Sequence, residues 1–147
     1  MASALIIFLV VWAAFVATAM WEARVEGRNT WDKGKLGWKI MIKGRAVYTA
    51  YQFWLFMVMY PLLMIILPLI VNGWNVRLFG ILVSAYFSGV ALEDIVYPFV
   101  NPAFKWKEKF HSKLLEFRYY KIAGIKVPIF HIVHIIIAVL VWYFLWR

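Results

Sequence analysis

The chain has 147 residues, of which 65% are hydrophobic and 16% are charged, and its formal net charge at pH 7 is +9. A soluble domain of this length cannot hide so much apolar surface, so the composition places the protein largely in lipid. The sequence contains no cysteine, which excludes disulfides, thiolate metal sites and cysteine nucleophiles.

Four apolar segments are long enough to span a membrane, since a bilayer core about 30 Å thick needs roughly 20 apolar residues per helix. They cover residues 2–21, 47–71, 78–100 and 127–146. The first is interpreted as a retained span, because it lacks the positively charged N-terminal region of a signal peptide. The sequence therefore predicts an all-α integral membrane protein, folded as a single domain of four transmembrane helices in a bundle.

The charge distribution predicts how this bundle is oriented. With four spans, the connectors 22–46 and 101–126 lie on one side of the membrane, and they hold fourteen of the sixteen Lys and Arg residues. The positive-inside rule makes that side cytoplasmic and places both termini outside. Attraction to anionic lipid headgroups, worth roughly 1 kcal/mol per Lys or Arg near the surface, then accounts for the basic charge. No nucleic-acid partner is expected.

Both connectors also mix apolar with basic positions. Residues 36–46 and 104–121 alternate between the two types without long polar runs. Such patterns favour amphipathic helices that lie along the cytoplasmic surface of the membrane.

Acidic and polar side chains follow at the cytoplasmic end of the first three spans. Glu22 and Glu26 lie four residues apart, so they share a helix face if the first helix continues beyond its apolar segment. Gln52 opens the second span at the same level. Glu93 and Asp94 lie about 10 Å inside the end of the third span and point about 100° apart. One of these two acids is therefore expected to face the bundle centre and the other a neighbouring helix.

The fourth span brings two histidines to the same layer. His131 and His134 lie one and two turns into the helix and share a face. Tyr97 and Asn101 follow the acidic pair on the third span. Because a charged side chain facing lipid costs about 2.5–3.5 kcal/mol, we expect these groups to satisfy one another.

Three interpretations of this polar layer remain open. In the first, the acids pair with basic side chains and with neighbouring amides and phenols, which would hold the helices together. The basic candidates are Arg24, Arg28, Arg45 and Lys126. In the second, the layer binds a divalent metal, and in the third it relays protons or a cation.

The metal interpretation names a specific ligand set. The ligands would be Glu22, Glu26, Glu93, Asp94 and His134. The residues that would contact these ligands and hold them in position are His131, Asn101, Tyr97 and Gln52. Carboxylates and an imidazole from different helices suit Mn, Fe or Zn, although the Glu-x-x-His motif of di-iron bundles is not present. Haem is not expected, since two histidines on one helix cannot ligate a haem from both sides.

The order of these residues resembles a group of small uncharacterised prokaryotic polytopic membrane proteins. Their pattern is E-x3-E-G after the first span and E-D followed by N-P late in the third, and it corresponds here to "EARVEG" and "EDIVYPFVNP". The matching positions are Glu22, Glu26, Gly27, Glu93, Asp94, Asn101 and Pro102. The group favours Trp-His in the last connector where this chain has Phe110-His111, so the resemblance gives no functional role to His111. It brings no activity with it.

The sequence thus predicts a small membrane protein with an acid- and histidine-lined pocket at the cytoplasmic boundary that binds a divalent metal. A non-catalytic subunit or oligomeric scaffold of a membrane complex is one alternative. A proton or cation pathway is another, although the outer half of the bundle is almost wholly apolar. Enzymatic activity is left undecided, because no substrate is indicated by these residues.

Overall fold

The computed structural model describes residues 3–27, 37–42, 45–106, 119–122 and 125–147, with side chains described outside 41–48 and 119–128. The chain is mostly helical. Four helices in these ranges are long and apolar enough to cross a membrane: α1 (Ala4–Val25), α2 (Ala50–Asn72), α3 (Val76–Val100) and α4 (Ile129–Trp146). Each predicted span agrees with one of these helices to within four residues at either end, so the prediction of four apolar helices is confirmed.

Two short antiparallel hairpins precede α2 and α4. Strand β1 (Lys39–Ile42) pairs with β2 (Arg45–Thr49), and β3 (Tyr119–Ile122) pairs with β4 (Ile125–Pro128). The amphipathic helix predicted for 36–46 is therefore wrong over the described strands. Alternating side chains around a glycine-containing turn favour a hairpin, and this signal outweighs the amphipathic pattern.

The prediction for the second connector is only partly covered by the structure. Residues 119–121 of the predicted helix over 104–121 belong to strand β3. Residues 107–118, which include His111, lie outside the described residues.

Local signals explain where the helices begin and how α2 departs from regular geometry. The side chain of Asn75 accepts a hydrogen bond from the Leu78 amide at 2.9 Å and caps α3. Helix α2 contains π-type turns over Phe53–Met59 and Leu62–Ile66, on either side of Pro61. A proline nitrogen donates no hydrogen bond, so the wider turns lie where the regular ladder is interrupted.

Helix α3 lies at the centre of the packing and contacts α1, α2 and α4. Its small residues allow these close approaches. A Cβ atom built on Gly89 would lie 2.3 Å from Phe15 Cδ2 on α1, and one on Gly80 would lie 2.7 Å from Leu145 Cβ on α4. The other helices keep many large apolar side chains exposed, as expected of surfaces that face lipid.

An aromatic layer fills the core about 10 Å along α1 from Glu22. Phe15 is fully buried, and its ring centroid lies 5.5 Å from those of Tyr60 and Tyr86 and 6.2 Å from that of Phe56. We call these four residues the aromatic layer. The Tyr86 hydroxyl donates to the Phe56 carbonyl oxygen, so the layer is also tied together by a hydrogen bond.

Candidate acidic site

Helix α1 continues as a helix past Trp21 to Val25, and this places Glu22 and Glu26 on one face. Glu22 is 3% exposed and Glu26 is 4% exposed. Opposite them on α3, Glu93 is 3% exposed, and its carboxyl group lies within hydrogen-bonding reach of that of Glu22. Together with Asp94, these residues form what we call the acidic site.

Each of the two facing carboxyl groups keeps one buried oxygen without a hydrogen-bond partner. These atoms are Glu22 Oε1 and Glu93 Oε1. A buried polar atom left without a partner costs about 1–3 kcal/mol, and more when charged, so each of these two oxygens destabilises the site.

Asp94 points away from Glu93 toward α4, as expected from the 100° offset between consecutive helical residues. Its Oδ2 lies 3.3 Å from Nε2 of His131, with the two side chains 18% and 11% exposed. The geometry is that of an ion pair without a well-formed hydrogen bond. The contact is therefore favourable mainly when the imidazole carries a proton.

Glu26 is held by the first turn of α2. The Tyr51 hydroxyl donates to Glu26 Oε1, and Gln52 Nε2 donates to the same oxygen at 3.2 Å. Gln52 Oε1 in turn accepts from the Thr49 amide at 3.2 Å, which fixes the side chain at the start of the helix. Burial raises the pKa of Glu26 to about 7, although hydrogen bonds from Tyr51 and Tyr97 oppose the shift.

Tyr51 was not among the predicted site residues. Its aromatic ring at the end of an apolar segment fits an ordinary membrane-interface residue, which hides its polar role. The available signal is its position next to Gln52: in the first turn of α2, both side chains reach Glu26.

Asn101 joins the ends of the two acid-bearing helices. Its Nδ2 donates to the Gly27 carbonyl oxygen at 2.7 Å, and its Oδ1 accepts from the Ala103 amide at 2.9 Å. The Tyr97 hydroxyl donates to the same Gly27 oxygen at 3.4 Å. Gly27 has φ +62°, a left-handed conformation that favours glycine. The sequence segments "EG" (26–27) and "NP" (101–102) are thus in contact through Gly27 and Asn101.

The two histidines differ in what they contact. His131 meets Asp94, whereas His134 Nδ1 lies 2.8 Å from the Phe130 carbonyl oxygen within its own helix. The His134 ring also packs against Phe130, with centroids 3.9 Å apart. The sequence predicts His134 as a metal ligand and His131 as a residue that supports the ligands. In the structure, it is His131 that contacts one of the acids, Asp94.

Basic side chains contribute little to the acidic site within the described part of the chain. There, His131 is the only basic residue that forms an ion pair with any of the four acids. Arg24 is exposed and donates from Nη1 to the Met20 carbonyl oxygen at 2.7 Å. The side chains of the other predicted partners, Arg28, Arg45 and Lys126, lie outside what the structure describes.

The acids are arranged as pairs rather than as a finished coordination shell. Across the described residues, no group of three or more His, Asp and Glu side chains is arranged to hold one metal ion. Glu22 pairs with Glu93, and Asp94 pairs with His131. Rotation of the flexible Glu side chains would be needed to bring three of these ligands onto one ion.

The aromatic layer lies between the acidic site and the opposite ends of the helices. Near this layer, Trp12 and Trp146 donate from Nε1 to the hydroxyls of Ser88 and Ser84, each at 2.9 Å. Ser88 also donates to the Ser84 carbonyl oxygen, and Ser84 to that of Ala138. These serine hydroxyls therefore form hydrogen bonds that link neighbouring helices.

Four of the described helices are long and apolar enough to cross a membrane, so the fold is that of a helical protein with four candidate membrane spans. No family model, curated protein or solved structure matches the chain. Its function is therefore argued from the acidic site alone.

Proposed function

We propose that this chain is a polytopic membrane protein that binds a divalent cation at the acidic site, with its basic connectors in the cytoplasm. The observation that carries this proposal is the pair of buried, unpartnered oxygens, Glu22 Oε1 and Glu93 Oε1, on facing helices. An uncompensated carboxylate in such an interior costs several kcal/mol, and a cation between the two oxygens offsets that cost.

The donor set indicates which cation fits. It offers carboxylate oxygens from α1 and α3 and an imidazole nitrogen from α4. Hard oxygen ligands with one nitrogen suit Mn²⁺, Fe²⁺ or Zn²⁺ and give no advantage to soft ions that need sulfur. In this proposal the carboxylates rotate toward the ion, and Tyr51 and Gln52 hold Glu26 in place.

Access from one side supports a binding site over a transmembrane pathway. The acids lie where α1 and α3 end and where α2 and α4 begin, next to the basic connectors. The fully buried ring of Phe15 and the rest of the aromatic layer close the core toward the other end. An ion would thus enter and leave through the cytoplasmic end.

A scaffold without a metal is the second candidate, and one observation favours it. No three ligands already converge among the described residues, and a proton shared between Glu22 and Glu93 would by itself join α1 to α3. In this case the acids stabilise the helix packing and respond to no cation.

Metal analysis combined with thermal unfolding separates the two candidates. Protein purified in detergent without chelator should contain Mn, Fe or Zn, and EDTA should lower its Tm. Returning Mn²⁺ at 100 times its Kd should stabilise the folded state by about 2.7 kcal/mol. Glu93→Gln should abolish this response, whereas the control Asn72→Ala, an exposed residue at the far end of α2, should keep it.

The scaffold predicts a different pattern. Wild-type protein would carry no metal, its Tm would be the same with EDTA and with Mn²⁺, and Glu93→Gln would lower the Tm under both conditions. That combination would overturn the cation-binding proposal.

A further inference from the structure

Building on the proposed function, we infer that Tyr60 is a specificity-determining residue of the acidic site. Thr18 holds the hydroxyl hydrogen of Tyr60 away from the facing carboxyl groups of Glu22 and Glu93. This arrangement keeps a hydroxyl of the protein from occupying the two free carboxyl oxygens and reserves them for a cation.

Tyr60 and Thr18 form a pair of hydroxyls on the bilayer side of the acidic site. Thr18 lies four residues before Glu22 on α1, so it is on the same helix face and one turn further into the membrane span. Thr18 is 5% exposed, and its Oγ1 is hydrogen-bonded to the Tyr60 hydroxyl of α2. The Tyr60 hydroxyl lies within electrostatic range of the carboxyl groups of both Glu22 and Glu93. The phenol thus extends from the aromatic layer to within about one helical turn of the acids.

The direction of the hydrogen bond between these hydroxyls follows from the number of hydrogens. A threonine hydroxyl has one hydrogen. Thr18 donates it to the Ala14 carbonyl oxygen at 2.9 Å. In its contact with Tyr60, Thr18 therefore acts as the acceptor, and the phenol hydrogen is donated to Thr18 Oγ1. Only lone pairs of the Tyr60 oxygen remain for the acidic site.

Other donors next to the facing carboxyl groups are also directed elsewhere. The Tyr51 hydroxyl and the Gln52 amide both donate to Glu26 Oε1. Within the described part of the chain, Glu22 Oε1 and Glu93 Oε1 are left buried without a hydrogen-bond partner. An occupant of the space between these oxygens must therefore bring the positive charge itself, which favours a cation over an anion or a neutral acceptor.

Thr18 acts on the acidic site through Tyr60 and is a positioning residue. A hydroxyl that loses its acceptor in a buried place is costly to leave unpaired, so without the threonine oxygen the Tyr60 hydrogen would turn toward a carboxylate. Hydrogen bonds to charged groups are among the strongest in proteins. Such a bond would satisfy the carboxylate and compete with the cation.

The Mn²⁺ affinity of full-length variants in detergent tests this inference. Thr18→Val removes the acceptor but keeps the side-chain shape, so Tyr60 should donate to a carboxylate and raise the Kd for Mn²⁺ by about tenfold, or about 1.4 kcal/mol. In a Tyr60→Phe background there is no hydroxyl to turn, so adding Thr18→Val should not raise the Kd further. Thr18→Ser keeps the hydroxyl and should restore wild-type affinity. Equal weakening by Thr18→Val in both backgrounds would overturn the inference, because Thr18 would then act through packing alone.

Tyr60→Phe alone gives a second test that does not depend on the folding of a Thr18 variant. Since the phenol hydrogen is not donated to the acids, its removal should not tighten Mn²⁺ binding. A lower Kd would show that the phenol already donates to a carboxylate, and it would overturn the inference. Tyr86→Phe is the matched control, because the Tyr86 hydroxyl is also buried but donates to the Phe56 carbonyl oxygen.

Binding by the wild type separates this inference from the proposed function. If the wild type binds Mn²⁺ and the effect of Thr18→Val persists without the Tyr60 hydroxyl, only the inference is wrong. If the wild type binds no Mn²⁺, both are contradicted. Folding of each variant is checked by helicity and elution volume.

Discussion

Asn101 stabilises the acidic site without contacting an acid. It is fully buried, and its amide group connects the Gly27 carbonyl oxygen at the end of α1 with the Ala103 amide after α3. Both ends of the side-chain amide are thus used. The spacing between α1 and α3 at the level of the acids depends on this connection.

Replacing Asn101 with alanine should destabilise the protein by about 1–3 kcal/mol, because the Gly27 oxygen loses its donor at 2.7 Å and the Ala103 amide loses the Oδ1 acceptor at 2.9 Å. Unfolding in detergent measures the loss. Asn72→Ala is the matched control, since the Asn72 side chain is exposed and bonds only within its own helix. Equal effects of the two substitutions would contradict this role for Asn101.

The pH dependence of stability should contain a contribution from Glu26. Burial raises its pKa from 4.5 to about 7, so the folded protein holds this proton more tightly than the unfolded chain. The resulting stabilisation is complete below pH 4.5 and is lost as the pH rises through about 7. In metal-free protein, wild type should therefore lose more stability between about pH 5 and about pH 8 than Glu26→Gln. An identical loss in both proteins would show that Glu26 titrates normally.

Side-chain directions on α3 could be predicted, whereas the choice between histidines could not. The angle between consecutive helical residues sends Glu93 toward α1 and Asp94 toward α4. His131 and His134 share one face, so the sequence cannot rank them. The choice depends on the height at which α4 starts relative to Asp94, and the packing of α4 on α3 determines that height.

At the scale of the helices, the crossing of α1 and α3 depends on Gly89. The ring of Phe15 lies directly over it, and other members of the aromatic layer hold that ring in place. No rotation of Phe15 can therefore make room for a larger residue at little cost.

Gly89→Ala should destabilise the protein by about 1–3 kcal/mol through overpacking against Phe15. In the double variant with Phe15→Leu, the smaller side chain gives the new methyl group space. The double variant should thus be more stable than the sum of the single effects predicts, as measured by unfolding in detergent. Additive effects would contradict a direct clash between these residues.

The helical spans were predictable from the sequence because a run of about 20 predominantly apolar residues matches the thickness of the bilayer core and is typical of a transmembrane helix. The hairpins were missed for the opposite reason. In "KIMIKGRAV", basic and apolar side chains fit a surface helix and a short strand equally well. Gly44, which lies in the sequence between the two strands, was the signal for a hairpin.

At the scale of the whole molecule, the chain shows the order helix, hairpin, helix twice, and a search for a fixed sequence period does not find this repetition. The segment between α1 and β1 covers residues 26–38, whereas the one between α3 and β3 covers 101–118. Helix α3 is also three residues longer than α1, so the spacing between corresponding positions grows from 72 residues at the starts of these helices to 80 at the starts of β1 and β3.

The orientation of the molecule is testable because the chain has no cysteine of its own. Single-cysteine variants at Asn72 and at Lys105, both exposed, report on opposite ends of the helices. In intact cells, a membrane-impermeant maleimide should label Asn72→Cys, and Lys105→Cys should react only after lysis. The reverse pattern would place the basic connectors outside.

Crystallography with anomalous scattering tests the central claim most directly. Crystals grown with Mn²⁺ and measured at the Mn absorption edge should show anomalous density between α1 and α3, within about 2.5 Å of carboxylate oxygens of Glu22 and Glu93. The same crystals of Glu93→Gln should lack it. Well-ordered wild-type carboxylates in direct contact with each other, with no anomalous density between them, would contradict the claim that this protein binds a cation there.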